Sequence, residues 1–148
     1  MKIVIKTKGV KLTRALEDFI EEKISSLENF LKIFQSEEYF NHFFGKGKPK
    51  IEAWIEIGKT TRHHKKGPFF WAECQMRFPK RSLRSTAHSK DLKLAIVEVK
   101  DELQRQLKQY KEKLKDLTEK RARALKKELK LAKEARFYRK GRIREEGT

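Results

Sequence analysis

Apolar and polar positions alternate in two rhythms along this chain, and the changes between them mark the elements. Lys2-Ile3-Val4-Ile5-Lys6 is short, β-branched and followed by Gly9, which predicts a strand and a turn. Thr13 then offers an N-cap, and Leu16, Phe19, Ile20, Ile24, Leu27, Phe30, Leu31 and Phe34 recur at helical spacing. Glu17, Asp18, Glu21 and Glu22 occupy the first turns on the other face, where the helix dipole favours anions. One amphipathic helix of about 20 residues is expected here. Two period-two runs follow, Ile51–Ile57 and Phe70–Phe78. The first places Ile51, Ala53, Ile55 and Ile57 on one face, the second Phe70, Ala72, Cys74, Met76 and Phe78. Trp54 and Trp71 then share the opposite, polar face and could be neighbours across the hairpin. A last short strand is expected from Ser82 to Ala87. From Ser89, read as an N-cap, Leu92, Ala95, Ile96, Val99, Leu103, Leu107, Tyr110 and Leu114 form a continuous helical stripe.

Two segments break the pattern. Residues 36–50 hold Tyr39, Phe40, Phe43 and Phe44 ahead of Gly45-Lys46-Gly47-Lys48-Pro49-Lys50, an aromatic cluster that either caps the core or stacks on bases. The link Gly58–Pro68 contains Arg62-His63-His64-Lys65-Lys66. Paired histidines suggest a metal, but no second ligand pair stands at a suitable spacing, so a solvated basic loop is expected. Beyond Leu117 the apolar stripe thins to Leu125, Leu129 and Ala132 among Lys and Arg. A helix running on to Tyr138 would reach about 70 Å at 1.5 Å per residue, so its second half should project or await a partner. The expected architecture is α+β, in the order β-α-β-β-β-α: a four-stranded sheet with two helices on one face. Residues 1–117 form the domain, with 36–50 as an insertion, and residues 118–148 form a basic helical or disordered extension.

Composition sharpens this picture. The 148 residues include 38 Lys and Arg against 21 Asp and Glu, a formal net charge of +17, and that excess grows along the chain. Residues 119–148 alone carry 12 basic and 5 acidic residues. Such a surplus points to a polyanion, first of all nucleic acid. Cys74 is the single cysteine, which excludes an internal disulfide and a cysteine-rich metal site. No apolar run approaches the roughly 18 residues of a membrane helix, and no apolar stretch behind a basic start suggests a signal peptide. Neither a glycine-rich phosphate loop nor a nucleophile-type turn is present, so no enzyme, cofactor, metal or small-molecule substrate is expected.

The basic residues are better organised than the acidic ones. Lys80, Arg81 and Arg84 gather around the turn into the last strand, and Lys90 and Lys93 open the second long helix. Lys100, Arg105, Lys108, Lys111, Lys113 and Lys115 fall mainly outside its apolar stripe. A helix face of this kind beside a basic turn suits phosphate tracking on structured RNA, where shape and backbone dominate recognition.

Two stretches carry a family likeness. Val10-Lys11-Leu12-Thr13-Arg14-Ala15-Leu16, with Phe19, Lys23 and Leu27-Glu28-Asn29-Phe30, resembles the first helix of the ribosome hibernation-promoting factor family, which includes the ribosome-associated inhibitors. Lys90-Asp91-Leu92, Ala95-Ile96, Asp101-Glu102-Leu103-Gln104-Arg105-Gln106-Leu107 and Tyr110-Lys111-Glu112-Lys113-Leu114-Lys115 are similar to that family's second helix. The resemblance implies a fold like that of double-stranded RNA-binding domains. It also implies a cytoplasmic, stress-related factor on the small ribosomal subunit near the decoding centre, where it would contact ribosomal RNA, exclude messenger and transfer RNA and hold ribosomes inactive. Lys23, Arg105, Lys111 and Lys113 stand at matching positions and would contact RNA. The chain departs from the family in its insertion at 36–50, in the basic run Lys80-Arg81-Ser82-Leu83-Arg84, and in a basic extension where long members carry a dimerising domain. The free protein is therefore expected to be monomeric. Two other readings are a general structured-RNA or ribosome-assembly protein and a coiled-coil interaction module. Lys120, Arg121, Arg123, Lys126 and Lys127 crowd the seam a coiled coil would need.

Overall fold

The computed structural model describes residues 1–35, 50–60, 69–78 and 81–131. The aromatic cluster of the insertion, the paired histidines, Lys80 and the chain beyond Leu131 lie outside these residues. Four strands form one sheet in the order β1 (Lys2–Lys8), β2 (Glu52–Lys59), β3 (Phe70–Phe78) and β4 (Arg81–Ser89). β1 and β2 are parallel, because the helical segment between them carries the chain back to the starting end. β2, β3 and β4 are successive antiparallel neighbours. The α+β architecture expected from the sequence is the one observed.

Alternation decides which face is covered. Ala53, Ile55 and Ile57 on β2 and Ala72, Cys74, Met76 and Phe78 on β3 are all buried, as are Leu83 and Ser85 on β4. Their register partners lie side by side, Ile55 against Cys74 and Cys74 against Ser85, so one face of the sheet is a continuous apolar floor. The residues between them are half-buried or exposed. Among the described residues the helices therefore cover one face only.

The first helical segment is two helices, α1 (Arg14–Ser25) and α2 (Glu28–Gln35), where the periodicity suggested one. The break falls at Ser26-Leu27. Ser26 Oγ donates to the Lys23 carbonyl at 2.6 Å, and the Leu27 amide takes the Ile24 carbonyl, an i→i−3 bond that tightens the turn. Serine back-bonding of this type bends helices. The apolar stripe survives it: Ile20, Ile24, Leu27, Leu31 and Phe34 are all buried, and Phe34 meets Phe78 edge-on at 5.7 Å. Thr13 caps α1 as expected, accepting from the Leu16 amide.

The long helix α3 spans Leu92–Leu131. Its N-cap is Asp91 and not Ser89, which still belongs to β4. Asp91 Oδ1 accepts from the Lys93 amide at 3.0 Å while its carbonyl accepts from Ala95, and Ser89 Oγ supports the turn from one step back. Ala95, Ile96, Val99, Leu103 and Leu107 are buried, each large aliphatic side chain among them contributing about 1.5–3 kcal/mol.

The chain divides into two units, Met1–Lys108 and Gln109–Thr148. In the second, Tyr110 and Leu114 are buried, and every residue from Lys115 to Lys130 is exposed. Leu117, Leu125 and Leu129 are among them. Among the described residues no helix is long and apolar enough to cross a membrane.

Trp54 and Trp71 share the uncovered face but are not neighbours. Trp54 stands opposite Gln75, whereas Trp71 stands opposite Gly58, four residues further along β2. Trp71 lies across Gly58, where an added Cβ would fall 2.5 Å from its ring. Gly58→Ala should therefore overpack the sheet and cost about 1–3 kcal/mol, read as a lower urea midpoint with unchanged m-value.

Cys74 is fully buried. Burial first, and the Glu73 carboxylate second, push its thiol up to about 12 from an ordinary 9.0. The native state thus keeps a proton that the unfolded chain loses, and the associated stability is complete below about pH 8.5 and declines as pH rises toward 12. Cys74 should resist thiol reagents at pH 8 until the chain is denatured. Cys74→Ala should remove its share of the alkaline slope in the thermal midpoint.

Candidate nucleic-acid interface

The helices that cover the sheet turn their outer faces to solvent, and most of the basic residues singled out in the sequence stand there. Lys23, in the last turn of α1, and Lys93, in the first turns of α3, both hold their ammonium groups over the half-buried Phe19 ring, at 5.2 and 5.4 Å. Lys108 sits 5.4 Å over Phe30 of α2. The partly exposed rings of the first helical segment thus serve as seats for cations arriving from α3. Each such contact is worth roughly 0.5–1 kcal/mol at an exposed site, enough to orient a lysine without consuming its charge. Lys90, just before α3, is exposed.

Other cations are engaged by carboxylates. Arg105 makes a two-pronged contact with Glu102, Nε to Oε2 at 2.9 Å and Nη2 to Oε1 at 2.8 Å. Hydrogen bonds from Arg105 and then Gln106 hold the Glu102 carboxyl below the usual carboxylate range. The Arg105 side chain is still 66% exposed, so the fork presents its outer donors to solvent. Lys23 has Glu22 at 3.1 Å. Lys100 is the least available, with a side chain only 18% exposed and paired with Asp101.

The basic turn divides between the two sides of the sheet. Arg81 shares its parity with the buried Leu83 and Ser85 and is exposed at the start of β4. Arg84 points to the uncovered face, where its guanidinium meets Glu73 at 2.7 Å. Grouping these two by sequence proximity misses this, because adjacent strand residues face opposite ways. In the second unit, Lys111 is half-buried and Lys113 and Lys115 are exposed. From Lys115 to Lys130 the helix carries seven basic and three acidic residues.

One cluster of cations escaped the sequence reading. Lys6 Nζ lies 5.4 Å and Arg77 Cζ 4.9 Å from the Trp54 ring centroid, on the uncovered face. Alternation along β1 and β3 carries the signal, placing both residues on the side of Trp54. Among the described residues no group of His, Cys, Asp or Glu is arranged to hold a metal ion.

A sheet floored on one side by helices, with cations seated on their outer faces, makes an α+β domain with a basic helical surface. Residues 3–115 match the family described as Sigma 54 modulation protein / S30EA ribosomal protein. The chain belongs to that family of ribosome-associated hibernation factors, as its two helix motifs suggested. Two solved structures are similar in fold. The N-terminal domain of Protein Y from Thermus thermophilus is 22% identical, with a TM-score of 0.53 over 74% of this chain and 99% of that one. A ribosomal subunit interface protein from Coxiella burnetii is 16% identical, with a TM-score of 0.53 over 75% and 98%. No curated protein sequence matches the chain.

Proposed function

We propose that this protein is a non-catalytic, cytoplasmic factor that docks its helical face on ribosomal RNA of the small subunit near the decoding centre. There it displaces messenger and transfer RNA and holds the ribosome inactive. The observation that carries this reading is the seating of Lys23, Lys93 and Lys108 on the Phe19 and Phe30 rings, on the solvent side of the helices. Ammonium groups held by aromatic rings, Lys23 with Glu22 beside it and Lys93 and Lys108 with no ion-pair partner among the described residues, are prepositioned for phosphate and release counterions on binding. The match over residues 3–115 supports the ribosome as target. The proposed binding domain is 1–117, with Arg81, Lys90, Lys100, Arg105, Lys111, Lys113 and Lys115 adding to its basic residues, whereas Arg84 points to the other side of the sheet and Lys80 lies outside the described residues. The free protein is a monomer in this reading.

Residues 118–148 are then a basic extension that lengthens the footprint. Burial along α3 ends at Leu114, so the exposed turns beyond it contribute charge and no core. Isolated helical turns of this composition are marginal alone and gain order from a polyanion.

Binding to purified small subunits should weaken steeply with salt, with a log–log slope near −5 for about six neutralised phosphates. Replacing Arg105, Lys111 and Lys113 together by Ala should lower affinity and flatten that slope. The thermal midpoint should stay nearly constant, since exposed charges each change stability by about 0.5 kcal/mol or less. Unaltered affinity would refute the helix-face reading.

Removing residues 118–148 should preserve the fold, shown by an unchanged circular-dichroism melt per residue of domain, and leave inhibition of translation weaker but present. Equal affinity and equal salt slope in both forms would show the extension to be a passive appendage.

A further inference from the structure

The uncovered face of the sheet is not an inert back. Its cross-strand rows, read from the register, are Val4–Trp54–Gln75–Arg84 and Lys8–Gly58–Trp71–His88, so the only two tryptophans of the chain both lie on it, on the two central strands. Both are half-buried. Trp54 is fixed in place, its Nε1–H donating to Glu52 Oε2 at 3.3 Å, and Lys6 and Arg77 reach over its ring from opposite neighbouring strands. The three acids of this face are Glu52, Glu56 and Glu73. Two of them are engaged, Glu52 by the indole and Glu73 by Arg84. Among the described residues neither Lys6 nor Arg77 is in an ion pair, and both line a shallow cleft of about 150 Å³ with Trp54, Gln75, Glu56 and the Arg84-paired Glu73.

We infer that this face is a stacking platform for unpaired RNA, with a base replacing one of the two cations over Trp54, its phosphates on Lys6 and Arg77, and a second base at Trp71. A rigid indole flanked by cations suits a nucleobase, because every base offers a π-face and every nucleotide a phosphate. Gln75, opposite Trp54 in the register, supplies a donor and an acceptor for a base edge. Trp71 follows at about 13 Å along the sheet, four residues at roughly 3.3 Å each, so one strand crossing the face meets both rings. A duplex hides its base faces in its own stack and gains nothing here. The platform lies on the opposite side of the sheet from the helical face proposed to dock on the small subunit, and it stands or falls independently of that reading.

Because both tryptophans lie on this face, intrinsic fluorescence of the full-length protein reports on it. Titration with a single-stranded oligouridine should quench the emission saturably, and an RNA duplex should bind with little quenching. Trp54→Leu should weaken oligouridine binding, followed by anisotropy of an end-labelled strand, about fivefold or more, while Trp54→Phe, which keeps a ring, retains most of it. Lys6→Gln with Arg77→Gln should weaken it comparably and carries the test should Trp54→Leu fail to fold by its thermal melt. Small-subunit affinity should be kept in these variants. Oligouridine binding that leaves the emission unchanged, or that survives both Trp54→Leu and the double glutamine variant, would overturn the inference. So would emission that ignores RNA but shifts with RNA-free ribosomal proteins, which would assign the face to a protein.

Discussion

Burial of one sheet face under three helices is the constraint from which the rest of this structure follows. A sheet exposes two faces, and this chain supplies enough apolar side chains for only one of them. On β2 and β3 the helix-side positions are all but inaccessible, whereas Glu52, Trp54, Glu56, Glu73 and Gln75 between them stay in partial contact with water. The inner stripe of α3 is committed to the same interface through Ile96, Val99, Leu103 and Leu107. Basic residues of that helix can therefore stand only on its outer side, and the positive face of the molecule is in this sense a by-product of how the core is closed.

The aromatic residues at the border of the core do double work. Phe19 and Phe30 are too large to be wholly enclosed and too apolar to be left bare, and lysines from α3 cover the remainder. The arrangement joins packing to electrostatics: the methylene stems of Lys93 and Lys108 shield ring surface, and their ammonium groups stay outward. Carboxylates play the opposite part. Glu102 and Asp101 hold Arg105 and Lys100 close to the helix, so the availability of each cation depends on its local partner as much as on its place in the sequence.

Much of this was legible in the residues themselves. Period-two runs located β2 and β3, and the stripe from Ala95 to Leu114 is buried as its spacing indicates. The failures have physical causes. Periodicity predicts one long helix from Leu16 to Phe34 because it is blind to a serine, Ser26, that bonds back to the chain. The start of α3 moved from Ser89 to Asp91 because both can cap, and strand pairing with Phe70 claimed the first. The two tryptophans were set side by side because alternation gives a face but not a register, which here depends on where β3 pairs with β2. Trp54 and the two cations around it come from three separate strands, and only the pairing brings them together.

Gln106 reaches from α3 to donate its amide to the main-chain carbonyl of Arg84, on the outer strand of the sheet. Among the described residues that strand has no neighbour on its far side, and an unpaired edge is a template on which another copy could add a strand. The amide occupies one of the acceptors such an addition would need, and the charged side chains of Arg81 and Arg84 discourage an approach by a like-charged copy. A single glutamine of the helix that closes the core thus also blunts the edge along which a chain of this charge could pair with a copy of itself.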